Sequence, residues 1–301
     1  DAQAALNEIP GITKVNIITT YHKENLENEK ENEDQVKKLN NAGTSKIKYI
    51  LAVASGKGGV GKSTVAVNLA CAFKSLGLKT CLMDADIYGP SIPKMIGVNE
   101  KPSSDGEKIE TIDRYGISTM SMGYMVNDEN PIIWRGLMVM KAINELIDKV
   151  NWGDADIMVI DLPPGTGDVQ LSLVQKINIS GSVIVTTPQD IALIDVVRGL
   201  KMFEKTKVPI LGIIENMSYF LAPDTGKEYS LYGESKTKEI AEKYDYEILS
   251  HLPHDPLLME QSDKGHPLTD LVPDHKVSKI FNELAESLIK RLKLEKLSST
   301  S

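Results

Sequence analysis

One ten-residue stretch limits the folds open to this chain more than any other: Ser55-Gly56-Lys57-Gly58-Gly59-Val60-Gly61-Lys62-Ser63-Thr64. An apolar run, 49–54, comes before it, and apolar residues at helical spacing, 65–76, come after it. A strand, a glycine-rich loop and a helix in this order are the context in which G-x-x-x-x-G-K-[ST] binds phosphate. Because glycine has no Cβ, this backbone can wrap a phosphate and point N–H groups at it. The stretch therefore predicts a nucleoside triphosphate site on an α/β fold.

Two side chains in the stretch have specific predicted roles. Lys62 should reach the β- and γ-phosphates, and the Ser63 hydroxyl should bind Mg²⁺. The N-terminus of the following helix adds its positive dipole end at the same place. We expect every residue of 56–64 to contact the nucleotide.

A second lysine, Lys57, follows the first glycine of the loop. The sequence Gly-Lys-Gly-Gly-Val-Gly-Lys-Ser-Thr resembles the deviant Walker A loop of the MinD/ParA/nitrogenase-iron-protein class. In that class the extra lysine crosses a dimer interface and touches the nucleotide of the other subunit. A cation supplied in this way stabilises charge on the transferring phosphoryl group. The alternative is a solvated surface lysine.

Composition narrows the class of protein. A net charge of -8 argues against general binding to nucleic-acid phosphates, and the sequence has no run of about twenty apolar residues that would span a membrane. There is no signal-peptide core, and because the chain starts at Asp1 we expect a fragment or a processed protein. Two cysteines, Cys71 and Cys81, make no disulfide framework and fit a reducing cytoplasm.

The order of apolar runs predicts the domain organisation. Residues 1–21 read as the remnant of a small N-terminal α+β domain, and 22–47 as a polar linker with too few apolar residues to fold. Strand and helix patterns alternate over 48–294, which predicts an α/β domain with a doubly wound, mainly parallel sheet of P-loop NTPase type and helices on both faces. Residues 295–301 are expected to be a flexible tail.

Carboxylates end two of the predicted strands. Asp84 and Asp86 close the strand at 79–83, where ligands bind in open α/β sheets. We expect Asp86 to orient the attacking water and Asp84 to contribute to the Mg²⁺ site from outside its first shell, although either could instead cap a helix. Asp161 closes the buried run 156–160 in a Walker B arrangement and should accept from Ser63 or Mg²⁺-bound water.

Other strand ends supply further candidates. Gly165 and Gly167 give the loop after Asp161 the freedom to act as a γ-phosphate switch. Asn216 can hydrogen-bond a purine edge, and Pro253 and Asp255 are expected to be further nucleotide contacts. His251 and His254 have no His or Cys cluster around them, so they are interpreted as polar loop residues.

Two segments leave alternatives open. Trp134 and Arg135 stand at a predicted helix start, and a core tryptophan with a solvated arginine is as acceptable as a role at a dimer interface or phosphate. The C-terminal helix, 277–294, has one apolar stripe and basic residues near its end. Such a helix could lie on a membrane, but acidic residues interrupt the positive face, which favours packing on the sheet.

Five motifs in the same order resemble the Mrp/ApbC family over residues 48–294: the deviant loop, Asp84-Ala-Asp-Ile-Tyr-Gly-Pro-Ser, Pro131-Ile-Ile-Trp-Arg-Gly, Asp161-Leu-Pro-Pro-Gly-Thr-Gly-Asp and Glu215-Asn-Met-Ser-Tyr-Phe. The resemblance implies a slow, homodimeric, cytoplasmic ATPase that uses ATP and Mg²⁺ and carries iron–sulfur clusters to apo-proteins. It also implies that Lys57 is the lysine acting across the dimer, Asp86 the hydrolytic aspartate, Asp161 the Mg²⁺-side aspartate and Asn216 a base contact. No nucleic-acid partner is expected, and a membrane partner is disfavoured.

One departure from that family concerns the cluster. Many members carry a C-x-x-C pair just after Asn-Met-Ser-Tyr-Phe, whereas this chain has Ala222 and Thr225 there. Neither can be a thiolate ligand. Cys71 and Cys81 lie in a predicted helix and strand and are interpreted as buried apolar fillers. The residues that would hold a cluster are therefore unknown from sequence.

Two other function classes remain open. A ParA/MinD-like positioning ATPase would act on a membrane or on DNA, and the acidic balance of the chain weighs against it. A biosynthetic ligase on the same scaffold would need a small-molecule pocket that the sequence does not reveal.

Overall fold

A computed structural model of the chain describes residues 43–125, 136–222, 224–233 and 235–294. The predicted N-terminal remnant, nearly all of the predicted linker, Trp134, Arg135 and the predicted tail lie outside the described residues. The predictions made for them stay predictions.

Twelve strands lie in the described parts of the chain: β1 (Ile47–Ala54), β2 (Thr80–Asp84), β3 (Ile109–Glu110), β4 (Ile112–Arg114), β5 (Ile117–Ser121), β6 (Val150–Asn151), β7 (Ala155–Asp161), β8 (Gly181–Thr186), β9 (Ile210–Glu215), β10 (Phe220–Leu221), β11 (Glu228–Tyr229) and β12 (Ile248–His251). The described α-helices are α1 (Lys62–Ser75), α2 (Ile92–Met95), α3 (Gly136–Asp148), α4 (Asp168–Lys176), α5 (Asp190–Thr206), α6 (Thr237–Lys243), α7 (Pro256–Asp263), α8 (Leu268–Leu271) and α9 (Lys276–Arg291). A short 3₁₀ helix, Met122–Tyr124, follows β5.

Eight strands form one sheet in the order β12-β9-β8-β1-β7-β2-β5-β4. Every neighbouring pair is parallel except β4, which runs antiparallel to β5 at one edge. This confirms the predicted α/β class with a mainly parallel, doubly wound sheet. The phosphate loop follows β1, a central strand, so its neighbours on both sides can supply residues to the site.

The central strands are continuous apolar runs in the sequence because both faces of the sheet are buried there. All of β7 and the last five residues of β1 are buried, because helices cover both faces of a parallel sheet. Helix α1 is buried on almost every side, from Val65 to Phe73. A helix in that position holds the phosphate loop against the core.

The C-terminal helix α9 packs into the core, as predicted. Its apolar stripe, Val277, Phe281, Leu284 and Leu288, is buried, and the helix contacts α1 and β12. The stripe is therefore occupied by the protein itself. Among the described helices none is long and apolar enough to cross a membrane.

Several short elements were not predicted from sequence. Helices α2, α6, α7 and α8 have four to eight residues, and strands β3, β6, β10 and β11 have two each. Such elements are too short for periodicity to identify. Strands β10 and β11 pair antiparallel as a hairpin, and among its described residues, 220–222 and 224–229, Gly226 has a φ of 65°. In it, Gly226 N donates to the Ala222 carbonyl at 2.8 Å.

A candidate nucleotide-binding site at the carboxyl edge of the sheet

The phosphate loop lies between β1 and α1 and has the backbone that its glycines predict. Gly59 and Gly61 both have a φ of 80°, which is strained for residues with a Cβ. A Cβ on Gly61 would lie 2.2 Å from Asn216 Nδ2, and one on Gly56 would lie 2.3 Å from the Asp195 backbone. Close packing therefore requires glycine at positions 56 and 61, independently of any ligand.

Hydrogen bonds tie this loop to itself and to other elements. Ser55 Oγ donates to the Lys57 carbonyl at 2.9 Å. Gly165 N, in the predicted switch loop, donates to the Ser55 carbonyl at 3.0 Å. Asn216 Nδ2 donates to the Val60 carbonyl at 2.9 Å. The phosphate loop thus contacts both the switch loop and the segment after β9.

Lys62 lies among the predicted catalytic carboxylates. Its Nζ is 2.5 Å from Asp161 Oδ1 and 3.9 Å from Asp86 Oδ2. The Lys62 and Asp161 side chains are buried and that of Asp86 is only 13% exposed. In parallel strands β1, β7 and β2, the register pairs Val53 with Asp161 and Asp161 with Asp84, which brings the strand ends together. The structure therefore assembles three residues that sequence reasoning had singled out separately.

The donors beside Lys62 fit a magnesium ion. Asp161 Oδ2 is buried and has no hydrogen-bond partner within the described residues. Ser63 is half-buried in the first turn of α1, next to Lys62. Carboxylate and hydroxyl oxygens are the ligands Mg²⁺ prefers, and nucleotide phosphates and water complete its shell. A magnesium ion bound with nucleotide therefore does not require three or more His, Cys, Asp or Glu ligands from the protein. The described residues contain no such group of ligands.

Asp84 is fully buried, and both of its oxygens accept hydrogen bonds from the protein. Ser121 Oγ donates to Oδ2 at 2.9 Å and the Asp86 amide donates to Oδ1 at 3.1 Å. Burial, with the nearby Asp161 charge, raises the pKa of Asp84 to about 8. Its contacts hold the backbone that presents Asp86. A contribution of Asp84 to a metal site stays a prediction.

Asp86 has the environment of a proton acceptor. Burial raises its pKa above the ordinary value, although the Lys62 cation acts in the opposite direction. A carboxylate with a raised pKa is a better base for an attacking water. Its role in orienting that water stays a prediction.

Lys57 contacts its own chain in this structure. Its Nζ donates to Gln189 Oε1, at the start of α5, at 3.3 Å. Gln189 was not singled out from sequence, because a polar residue before a helix has an ordinary capping explanation. The predicted contact of Lys57 with a second subunit stays a prediction.

A cavity of about 430 Å³ opens beside the phosphate loop. It joins predicted nucleotide contacts from three segments, namely Gly61 and Thr64, Asn216, and Pro253 with Asp255. Further lining residues were missed from sequence: Pro90, Ser91, Lys94, Met95, Met217, His254, Leu258, Met259, Ser262 and Asp263. The Ile-Tyr-Gly-Pro-Ser motif after Asp86 was the sequence signal that could have identified Pro90 and Ser91.

Two of the predicted nucleotide contacts already have protein partners. Asn216 uses one N–H of its side-chain amide on the Val60 carbonyl, so its second N–H and Oδ1 are left for a purine while that bond persists. Asp255 Oδ1 accepts from Leu258 N at 2.9 Å and caps α7. His254, interpreted as a polar loop residue, lines the cavity and lies against the Phe220 ring.

The thiols do not lie at this site as ligands. Cys71 and Cys81 are free and buried, as predicted, and burial raises the pKa of each to about 12. Ala222 is buried at the start of the hairpin turn, and Thr225 is exposed. Since a cluster binds thiolate, this chain's own cysteines do not fit that task.

Comparison with known proteins gives a family match over most of the chain. The family model described as "ParA: NUBPL iron-transfer P-loop NTPase" matches residues 46–289. An iron–sulfur cluster carrier protein of Aquifex aeolicus is 47% identical over 245 residues, which cover 80% of this chain and 67% of that protein. The iron–sulfur cluster transfer protein NUBPL of Mus musculus is 44% identical, with 82% and 78% covered.

Solved structures agree on the fold. A nucleotide-binding protein of Archaeoglobus fulgidus in complex with ADP is similar with a TM-score of 0.69 at 37% identity, covering 83% of this chain and 96% of that one. The cell division ATPase MinD of Pyrococcus furiosus has a TM-score of 0.61 at 23% identity, with 81% and 100% covered. The second likeness concerns the fold alone.

Proposed function

This chain belongs to the ParA family of NUBPL-type iron-transfer P-loop NTPases, and from that premise we propose that it hydrolyses ATP slowly as a homodimer and serves iron–sulfur cluster transfer. Membership confirms the resemblance drawn from the five motifs. The main support for the proposed ATP hydrolysis is the position of Lys62 between Asp161 and Asp86, beside the cavity.

Each residue of the site has a task in that reaction. Lys62 exchanges its contact with Asp161 for the β- and γ-phosphates, while the loop N–H groups bind the phosphate oxygens. Asp161 Oδ2 and Ser63 would then hold Mg²⁺, which neutralises charge on the phosphates. Asp86 orients water for in-line attack and accepts its proton. Asn216, Pro253 and Asp255 line the cavity and would contact the nucleoside.

The dimer half of the proposal concerns Lys57. In the resting chain this lysine rests on Gln189. In the ATP-bound dimer it leaves Gln189 and contacts the phosphates held by the other subunit, where a cation stabilises the transferring phosphoryl group.

Steady-state hydrolysis of Mg-ATP tests the assignment. We expect the rate to collapse in Lys57→Ala, Lys62→Ala and Asp161→Asn, because each removes charge or metal binding at the phosphates. Lys101→Ala, at an exposed position outside the site, is the matched control and should keep the wild-type rate. Wild-type rates in all three site variants would end the ATPase mechanism.

The cluster half rests on the relatives, which are named as iron–sulfur cluster carrier or transfer proteins. We propose that this chain handles a cluster as cargo for apo-protein clients in the cytoplasm. With Ala222 and Thr225 at the family's cysteine positions, and both cysteines buried, thiolates of this chain do not supply its ligands. The cluster is therefore held by other donors or together with a partner.

Anaerobic reconstitution with iron and sulfide, followed by gel filtration, tests this half. We expect iron and sulfide to co-elute with wild-type protein and also with Cys71→Ala/Cys81→Ala, since neither thiol is a ligand. Ala222→Cys/Thr225→Cys serves as the positive control for the assay and should bind more iron. An iron-free wild-type product beside a loaded control would contradict cluster binding by donors of this chain alone and would leave the ATPase and a cluster held only with a partner.

A further inference from the structure

Glu215, the last residue of β9, is a buried carboxylate that the proposed reaction does not use. Only 2% of it is exposed. Ser218 Oγ donates to Oε1 at 2.8 Å, His251 Nδ1 lies 3.1 Å from the same oxygen, and Ser235 Oγ donates to Oε2. Burial alone would raise its pKa, but these hydrogen bonds and one from Thr237 hold the pKa down at about 2. Glu215 is therefore charged and fully partnered at any physiological pH.

The Ser–His–Glu set is not a hydrolytic triad. In a triad the serine and the acid face opposite ring nitrogens of the histidine. Here Ser218 Oγ, at 3.4 Å, and Glu215 Oε1 both face Nδ1 of His251. The ring cannot relay a proton between them, so the cluster has a positioning role rather than a chemical one.

On one side the cluster fixes a strained turn at the nucleotide cavity. Asn216 follows Glu215 directly and donates to the Val60 carbonyl of the phosphate loop. Met217 comes next, has a φ of 55° and lines the cavity. A positive φ in a non-glycine residue persists only where its surroundings enforce it. Ser218 Oγ closes the turn, because it lies within hydrogen-bonding distance of both the carbonyl oxygen and the carboxylate of Glu215.

On the other side the cluster holds the end of the hairpin segment, which we define as the described residues within 220–236, namely 220–222, 224–233, 235 and 236. Ser235 Oγ donates to Glu215 and lies 2.9 Å from Thr237 Oγ1, and Thr237 is fully buried. The segment exposes three large side chains: Tyr229, Leu231 and Tyr232. Within its described residues none lines the cavity.

We propose that Glu215 is a positioning residue that couples nucleotide in the cavity to the hairpin segment. One carboxylate anchors both the turn that contacts the phosphate loop and the end of a segment that presents an exposed aromatic surface. Nucleotide that draws Asn216 or Met217 toward itself therefore acts on Ser235 through the same buried group. The inference rests on the proposed function only in requiring that nucleotide binds.

Hydrogen exchange on the full chain, with and without Mg-ADP and then Mg-ATP, tests the coupling. In wild-type protein we expect nucleotide to slow exchange both in the phosphate loop, 56–64, and in 220–236, the latter by about two- to tenfold, the equivalent of one net hydrogen bond. Ser235→Ala should keep the phosphate-loop effect and lose the hairpin effect. Ser235→Thr retains the hydroxyl and should restore it.

Ser230→Ala, in the same segment at an exposed position, is the matched control and should behave as wild type. Equal hairpin protection in wild type and Ser235→Ala would overturn the coupling, as would phosphate-loop protection with no hairpin effect in wild type. Absence of any effect at 56–64 would instead contradict nucleotide binding. The experiment therefore distinguishes failure of the coupling from failure of nucleotide binding. If Ser235 had only a structural role, nucleotide would still slow hydrogen exchange of the hairpin segment in Ser235→Ala.

Discussion

Lys62 Nζ lies 2.5 Å from Asp161 Oδ1, and both side chains are buried at the carboxyl edge of the sheet. Without nucleotide, the lysine that should bind phosphate is neutralised by the carboxylate that should bind Mg²⁺. In the proposed reaction, binding of Mg-ATP would separate this ion pair and give each member a ligand of opposite charge. Nucleotide binding and the resting stability of the site are therefore linked.

Lys62→Met should lower stability as well as hydrolysis, because Asp161 is left buried without its cation. Removing one partner of a buried pair costs about 3–5 kcal/mol. Chemical denaturation without nucleotide measures the loss. Adding Asp161→Asn should recover much of the stability but none of the ATPase activity. A double variant no more stable than Lys62→Met alone would contradict the explanation.

Asp84 should make the nucleotide-free protein less stable as pH rises. Its pKa is about 8 in the folded chain and about 3.9 when unfolded, so between these values the folded state holds a proton that the unfolded state has lost. Stability present at low pH is then lost as pH rises toward 8. The raised pKa of His251 acts in the same direction above its ordinary value.

Asp84→Asn isolates the first contribution. It should reduce the slope of unfolding free energy between pH 5 and 8 by up to about 1.4 kcal/mol per pH unit. The fully exposed Asp274 supplies the control, Asp274→Asn, whose slope should match wild type. An unchanged slope in Asp84→Asn would show that its carboxyl is already ionised in the folded protein.

Two glycines of the phosphate loop should respond differently to alanine before any nucleotide is added. Gly56→Ala places a Cβ 2.3 Å from the Asp195 backbone and should cost about 1–3 kcal/mol. Gly58→Ala meets no described atom within 4 Å and should stay within about 0.5 kcal/mol of wild type. Thermal unfolding of the two variants makes the comparison, and equal losses would refute it.

Mixing two inactive variants should restore activity if Lys57 acts across the dimer. Lys57→Ala keeps its own Asp86, and Asp86→Ala keeps its own Lys57, so a mixed dimer contains one complete site. At equal mixing we expect about a quarter of wild-type hydrolysis, since half of the dimers are mixed and each has one working site of two. A mixture as inactive as its components would place the lysine's action within one chain.

Sequence reasoning predicted the central fold because its signals are local. The apolar runs that became β1 and β7 are buried on both faces, so they read as continuous strands. The loop glycines predicted a backbone that only glycine adopts readily, and Gly59 and Gly61 have it. The short helices α2, α6, α7 and α8 and the two-residue strands were missed, because they contain too little periodicity.

The sequence predicted which residues belong to the site, but it did not predict the contacts between them. Asp86 and Asp161 were singled out from their positions at strand ends, yet their closeness to one lysine depends on β7 lying between β1 and β2. Gln189 gave no signal, since a polar residue before a helix has many ordinary explanations. Glu215 opens one of the five motifs, but nothing in the sequence indicated its buried contacts.

The amino-acid sequence by itself determined the phosphate loop, the identity of the strands around it and the absence of thiols at 222 and 225. These follow from covalent structure and local periodicity. Only the tertiary structure decided that Asn216 donates to Val60, that Lys57 rests on Gln189 and that one carboxylate, Glu215, joins three segments. Those contacts link residues far apart in the chain, and burial, which sets their strength and the pKa of their carboxylates, exists only once the chain has packed.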